Sequence, residues 1–297
     1  MLIARVITEA AGLETRLDRL IAALAAGDPA ARPEVGIHRL SHGAAVVQIS
    51  LEHAQAAALR QSVEAHLRPH ALLIAPASEA PLRLFVSDMD STMIEQECID
   101  ELADYAGLKP QIAAITERAM QGELDFEAAL RERVGLLAGL DEGAIGQCLA
   151  ERITAMPGAK VLVATLRAHG CRTVLVTGGF HHFADPVAEM LGFERVVGNR
   201  LEVAQGKLTG GLVGPIADSA TKLAVLREES AMLGGDLASL ATGDGANDIP
   251  MLAGATYGIA YRAKPKAKDA ASGWVEQGDL TAVLHLLGIG EGDWSGG

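Results

Sequence analysis

The chain predicts an α/β fold built on a Rossmann-like parallel sheet, with a smaller α+β unit in front of it. Three observations carry that prediction. Short apolar, β-favouring runs at 84–86, 174–176 and 237–241 each end in polar or glycine-rich residues, the pattern of strands buried on both faces. Helical stretches lie between them, as parallel neighbours require. The first 78 residues read differently, as strand, helix, strand, strand, helix, strand, the order of the ferredoxin-like split unit.

Composition narrows the class. A chain of 297 residues with 49% hydrophobic content can bury a full α/β core and a second small unit. No apolar run approaches the roughly 20 residues that span a bilayer, and no basic stretch followed by a hydrophobic one opens the sequence, so a soluble cytoplasmic protein without membrane partners is expected. Cys98, Cys148 and Cys171 are odd in number and lack metal-ligand spacing, which favours reduced core residues over a disulfide framework. Cys98 lies close in sequence to the candidate site. A formal net charge of −13 argues against nucleic acid, whose phosphates demand a basic surface.

In the front unit, strands are expected at 2–8, 35–40, 44–51 and 71–74, with a turn at 41–43 and helices at 13–26 and 52–67. Prolines and small residues at 76–81 mark a linker. The division is therefore a unit over 1–78 and a larger one over 79–297. After Thr92 the pattern stays helical at 96–106, 111–120, 125–137 and 141–153, with Asp125 and Asp141 where N-caps belong. Met156-Pro157-Gly158 returns the chain to a helix at 160–168 and the strand that includes 174–176. A helix at 183–191, β segments at 195–203 and 207–213, a helix at 219–233, a helix beginning at 249–253, a strand at 257–261 and a helix at 280–287 follow. The glycine-rich end from Gly288 reads as disordered.

The strand ends carry the chemistry. The run at 84–86 leads into Asp88-Met89-Asp90-Ser91-Thr92, two acids at i and i+2 that can face one side beyond the carboxyl end of a strand, where α/β sheets bind ligands. Alone, the pair is equally well a solvated acidic turn. The second run ends in Thr177-Gly178-Gly179, the third in Gly243-Asp244-Gly245-Ala246-Asn247-Asp248, and Lys222 stands near the start of the helix at 219–233. In order and context, these four stretches resemble the motifs of the haloacid-dehalogenase (HAD) superfamily of phosphohydrolases. That resemblance implies a HAD core with a helical cap over about 94–155, and the front unit resembles the ACT-like domains that precede many bacterial members. ACT domains bind amino acids or pair with copies of themselves, so a homodimer through residues 1–78 is one implied partner. No ligand signature stands out there.

The resemblance also assigns roles. Asp88 is the implied nucleophile forming an aspartyl-phosphate, Asp90 the acid and then base, and Lys222 the stabiliser of the transferring phosphoryl group. Asp88, Asp244 and the Asp90 carbonyl are implied ligands of Mg²⁺, the hard ion that carboxylates without His or Cys favour, with Asp248 holding a metal-bound water. Thr177 and Gly178 would meet the phosphate, and Gly179 allows a close approach. Glu97, the span from Phe126 to Arg133 and the ending 243–251 resemble more narrowly the phosphoserine phosphatase branch. By that likeness Glu97 takes the ammonium and Arg133 the carboxylate of O-phospho-L-serine, a small-molecule substrate in the last step of serine biosynthesis. Asn247 contacts the substrate near the phosphate, and Met120 and Phe126 wall the cap. Taken alone, Glu97 and Arg133 are ordinary helix-surface charges. An anionic substrate must overcome the chain's own field, so Lys222, Arg133 and a metal have to reverse its sign locally. Two rivals remain at this level: transfer of the phosphoryl group to another alcohol such as homoserine, and a non-enzymatic module storing phosphoaspartate as a signal. Serine sensing by the front unit is a further possibility that the sequence leaves open.

Overall fold

The computed structural model describes residues 1–27, 32–40, 43–52, 55–120 and 123–296, without the side chain of Met120. Most of the turn expected at 41–43, part of the expected helix at 52–67 and the proposed wall contact of Met120 thus lie outside the described residues.

The front unit comprises β1 (Leu2–Glu9), α1 (Leu13–Gly27), β2 (Glu34–Arg39), β3 (Ala44–Leu51), α2 (Ala56–Leu67) and β4 (Ala71–Pro76). Leu13, Leu17 and Leu20 recur at helical spacing and are buried, so α1 lays one apolar stripe on the sheet. β1 pairs antiparallel with β3 and β4, and β2 pairs with β3. The resulting order 2-3-1-4 is consistent with the ferredoxin-like unit.

The central strand β5 (Leu82–Ser87) follows, and then the helical insertion α3 (Cys98–Tyr105), α4 (Lys109–Met120), α5 (Phe126–Leu136) and α6 (Gly143–Arg152). Asp125 caps α5 as expected, its side chain accepting from Ala128 N at 2.7 Å. Asp141 accepts from Gly143 N at 2.9 Å, but Glu142 stands at the cap of α6. The two ends of the insertion are stitched together: Ile94 bridges to Ala155, Glu95 N donates to Thr154 O (3.1 Å) and Met156 N to Met93 O (2.9 Å).

The chain continues through α7 (Ala159–Ala168), β6 (Arg172–Phe180), α8 (His181–Leu191), β7 (Arg195–Asn199), β8 (Leu201–Ala204), β9 (Lys207–Leu212), α9 (Ser219–Met232), β10 (Ala238–Gly243), α10 (Ile249–Gly254), β11 (Tyr257–Tyr261), α11 (Pro265–Ala270), β12 (Gly273–Val275) and α12 (Thr281–Leu287). The β segment expected at 195–203 breaks at Arg200. Asn199 is buried and tied to Gly178 O and Ala217 N at 2.8 Å each, which ends β7 in the main sheet, and β8 turns away to pair with β9. The tail is ordered rather than disordered as far as Gly296. Trp294 packs against His285 with ring centroids 5.1 Å apart, and Ser295 N donates to Thr165 Oγ1 at 2.9 Å. One aromatic side chain finds an apolar seat and holds the glycine-rich segment down.

Among the described residues ten strands form a single sheet, in the order β2-β3-β1-β4-β12-β11-β10-β5-β6-β7. β10, β5 and β6 run parallel at its heart. β12 pairs parallel with β11 and antiparallel with β4, so the front unit and the α/β part share one sheet. Strand alternation carries the core across that junction: Leu73, Phe85, Leu175 and Leu240 pack on one face, and Leu72, Leu84, Val174 and Trp274 on the other. The three cysteines are free and buried. Burial pushes the Cys98 thiol far up, which leaves it no reactive thiolate character. No helix among the described residues is long and apolar enough to cross a membrane.

Candidate active site

The carboxyl ends of β5, β6 and β10 meet at one point, because parallel strands deliver their ends to the same edge of the sheet. Asp88 leaves β5 and stays registered to β10 through its N–H, which donates to Thr242 O at 3.0 Å, while the Ser87 and Thr242 hydroxyls are 2.8 Å apart. Asp244 follows β10, and Thr177, Gly178 and Gly179 lie near the carboxyl end of β6, where its pairing with β7 is interrupted between Val176 and Phe180. Asp248 comes back to the same place on a 3₁₀ turn over Ala246–Asp248.

Lys222 arrives from the side, in the first turn of α9. Asp218 caps that helix by accepting from Thr221 N at 2.9 Å. The Lys222 ammonium, 1% exposed, lies 2.6 Å from Asp88 Oδ1 and 2.6 Å from Asp248 Oδ1. Burial alone would discharge it, but the two carboxylates outweigh that and raise its pKa. Asp248 Oδ2 accepts from Gly245 N at 2.9 Å. A side chain at Gly243 could not share this space, since its Cβ would come within 2.5 Å of Asp248 Cγ.

The other acids are shifted as well. Burial pushes the Asp88 carboxyl well up, Asp248 adds to this and Lys222 opposes it. Asp90 is pushed up to about 7, first by burial and then by Glu97, against the pull of the Cys98 N–H that it accepts at 3.1 Å. Asp244 rises to about 6 through burial, opposed by Lys264. A carboxyl near 7 can both give and take a proton in neutral solution.

A cavity of about 140 Å³ opens above these groups, smaller than the sites of drug-sized ligands and suited to a small metabolite. Its floor includes Asp88, Asp90, Thr177, Gly178 and Asp244, and its walls include Glu97, Phe126, Arg133 and Asn247. Arg133 projects from α5 and Glu97 precedes α3, so the helical insertion supplies one acid and one base opposite the aspartates. Glu97 accepts from Ser91 Oγ at 2.9 Å, and Arg133 Nε donates to Ala129 O at 3.3 Å. Thr177 Oγ1 accepts from Gly179 N at 2.8 Å. At Gly179 a Cβ would fall 2.9 Å from Asp90 Oδ2. Asp88, Asp90, Glu97, Phe126, Arg133, Thr177, Gly178, Asp244 and Asn247 line this cavity, and Lys222 and Asp248 lie beneath it against Asp88.

Two residues escaped that reading. Ser91 adopts a left-handed backbone (φ 54°), a strained state for a non-glycine residue, and its hydroxyl holds Glu97. Lys264 sits on the cavity wall with Nζ 3.8 Å from Asp244 Oδ2, and its N–H donates to Asp244 O at 2.9 Å. Its position just past β11, at the same edge of the sheet, was the signal that could have found it.

Carboxylate oxygens of Asp88, Asp244 and Asp248 lie within 4.8 Å of one another. The donor set is oxygen only, and the Asp244 carboxylate accepts no hydrogen bond among the described residues. Three acids against one buried ammonium leave a net negative charge, so the cluster fits a hard divalent cation.

Comparison with known proteins agrees with this geometry. A phosphoserine phosphatase of Albidiferax ferrireducens is 43% identical over 218 residues, covering 71% of this chain and 92% of that protein. Phosphoserine phosphatase SerB2 of Mycobacterium tuberculosis is 44% identical over 212 residues, again 71% of this chain but 52% of that longer protein. Among solved structures, a HAD family hydrolase from Salmonella enterica superposes with a TM-score of 0.82 over 96% of this chain and 98% of that one, at 27% identity. A substrate-bound phosphoserine phosphatase gives 0.64 over 70% of this chain and 99% of its own, at 36% identity. The family model for haloacid dehalogenase-like hydrolases matches residues 85–253, more than half of the sequence and all four motifs, and the chain belongs to that family.

Proposed function

We propose that this protein hydrolyses O-phospho-L-serine to L-serine and phosphate through a phosphorylated Asp88. The observation that carries this reading is Asp88 held 2.6 Å from a buried ammonium, on the floor of a small cavity walled by one acid and one guanidinium. Three charged groups of the substrate find three complements. Arg133 takes the carboxylate in a bidentate pair, Glu97 the ammonium, and Lys222, Thr177 and the Gly178 backbone the phosphoryl group, with Asn247 alongside. The relatives named as phosphoserine phosphatases support the same substrate.

An Asp88 oxygen attacks phosphorus while the bond from phosphorus to the serine oxygen breaks, and Asp90 gives its proton to the leaving alkoxide. Water then opens the phosphorylated Asp88. Its oxygen joins phosphorus, Asp90 takes its proton, and the bond to Asp88 breaks, which returns both carboxyls to their starting states. Lys222, itself buried beside Asp88, stabilises the charge on the transferring group. Mg²⁺ is the cation that Asp88, Asp244 and the Asp90 carbonyl would hold, backed by Asp248, and it would neutralise charge between nucleophile and phosphate.

Phosphate release measured over a panel of small phosphomonoesters, with and without Mg²⁺, tests this reading. O-phospho-L-serine should be preferred, and chelation should stop turnover. Asp88→Asn should lower kcat by about 10⁴-fold or more with the fold unchanged. Arg133→Ala should raise KM for phosphoserine roughly ten- to a hundredfold and leave phenyl phosphate little affected. Equal losses on both substrates would remove the specificity assignment, and full activity in Asp88→Asn would remove the mechanism.

A further inference from the structure

A second cavity is far larger than the catalytic one. A cleft of about 1200 Å³ lies between the helices of the front unit and the α11–β12 segment, at the kind of inter-unit boundary where ligand sites concentrate. Its walls are crowded with cations in a chain whose net charge is −13. Arg16, Arg19, Arg60, Arg68 and Lys268 all face it.

Pairing the charges shows which of them remain uncompensated. Arg60 is matched by Glu64 at 3.1 Å, which also accepts from Trp274 Nε1 at 3.3 Å, and Lys268 is matched by Glu276. Arg16 is held rigidly, yet only by neutral acceptors. Its Nη1 donates to Thr8 Oγ1 (2.9 Å) and Leu67 O (2.6 Å), and its Nη2 to the carbonyls of Glu9 and Ala11. Arg19 and Arg68 make no hydrogen bond or ion pair among the described residues. Against these three guanidinium groups the lining offers only the carboxylates of Glu9 and Asp269.

Arg68 is also strained. It ends α2 in the left-handed region (φ 51°, ψ 62°) immediately before Pro69, where glycine is the favoured residue. An arginine there loses backbone ease and places a guanidinium on the cleft wall. Guanidinium groups match carboxylate and phosphate oxygens with paired donors, and a local excess of positive charge concentrates anions against an unfavourable overall field.

We infer that this cleft is a second, non-catalytic site that takes a small multivalent anion, a polycarboxylate or phosphorylated metabolite, between Arg16, Arg19 and Arg68. Calorimetric titration of the full-length, metal-free protein with citrate and, separately, with pyrophosphate tests it and distinguishes the two sources of charge. At least one probe should bind saturably with Kd tighter than about 1 mM. The Arg19→Gln/Arg68→Gly double variant should weaken that binding at least about tenfold. Arg68→Gly alone relieves the left-handed arginine, so it should keep the fold and still weaken binding. Arg133→Ala, in the catalytic cavity, should leave it unchanged. No saturable binding of either probe, unaltered binding in the double variant, or loss of binding in Arg133→Ala would each overturn the inference.

Discussion

At the scale of single residues, the division of labour between Asp88 and Asp90 follows from their neighbours. Two carboxyls of the same type stand two positions apart on one strand end. Asp88 has Lys222 at 2.6 Å, a partner that rewards its ionised form. Asp90 has no such partner. Burial and Glu97 raise it to about 7, against the pull of hydrogen bonds from the Cys98 thiol and N–H and of the Lys222 charge. One acid is thus equipped to attack and the other to carry a proton. The proton role makes a prediction that depends on the leaving group. Asp90→Asn should cut kcat on phosphoserine by about 10²–10⁴-fold, the usual span for a lost general acid. On p-nitrophenyl phosphate, whose leaving group needs little protonation, the first chemical step should suffer much less. Burst kinetics on the two substrates read that step directly, and equal slowing of both bursts would take the acid role away from Asp90.

At the scale of elements, the site depends on where helices begin. Lys222 reaches Asp88 because α9 starts at Ser219, fixed by Asp218 accepting from Thr221 N while Thr221 Oγ1 faces back toward the cap at 2.9–3.2 Å. Asp218→Ala should cost about 1 kcal/mol of stability and lower kcat more than it alters KM, since it loosens the turn that carries the ammonium. A melting curve and a kcat measurement check both parts, and an unchanged kcat alongside a lowered melting temperature would confine Asp218 to a structural role. Such elements were legible in the sequence where one physical rule dominates. β5, β6 and β10 are buried on both faces and so read as continuous apolar runs, and their chemistry follows at their ends. α5 was legible through Asp125 and the periodic run behind it. What went unread lacks such a rule. β12 is three residues, Gly273–Val275, too short to show a period, and it exists because β4 and β11 both pair with it. The tail's order rests on Trp294 meeting His285, residues nine positions apart whose contact no local pattern announces. Lys264 and Ser91 matter through a backbone N–H and a left-handed turn, features that side-chain spacing does not encode.

At the scale of the whole molecule, β12 makes the front unit and the hydrolase mechanically one. Without it, β4 and β11 would be separate sheet edges. With it, the sheet is continuous and both of its faces are packed by side chains from the two parts. Arg60 reinforces the junction by donating to Lys268 O at 3.0 Å and Ala271 O at 3.2 Å, at the end of α11, while the other end of α11 begins beside Lys264 and its bond to Asp244. A disturbance at the junction therefore has a short route to the catalytic floor. Cooperative unfolding requires that neither part keep its core when the other opens, and Leu72, Leu73 and Trp274 sit where both cores would be exposed at once. The chain should accordingly melt in one transition. Trp274 provides a local probe, since the chain has only two tryptophans and Trp294→Phe leaves Trp274 as the sole indole. In that variant, Trp274 fluorescence, far-ultraviolet circular dichroism and loss of phosphatase activity should share one midpoint. An indole signal that moves at lower temperature than the other two would mean that the sheet parts at β4–β12 first, and that the front unit is a detachable module rather than an extension of the hydrolase sheet.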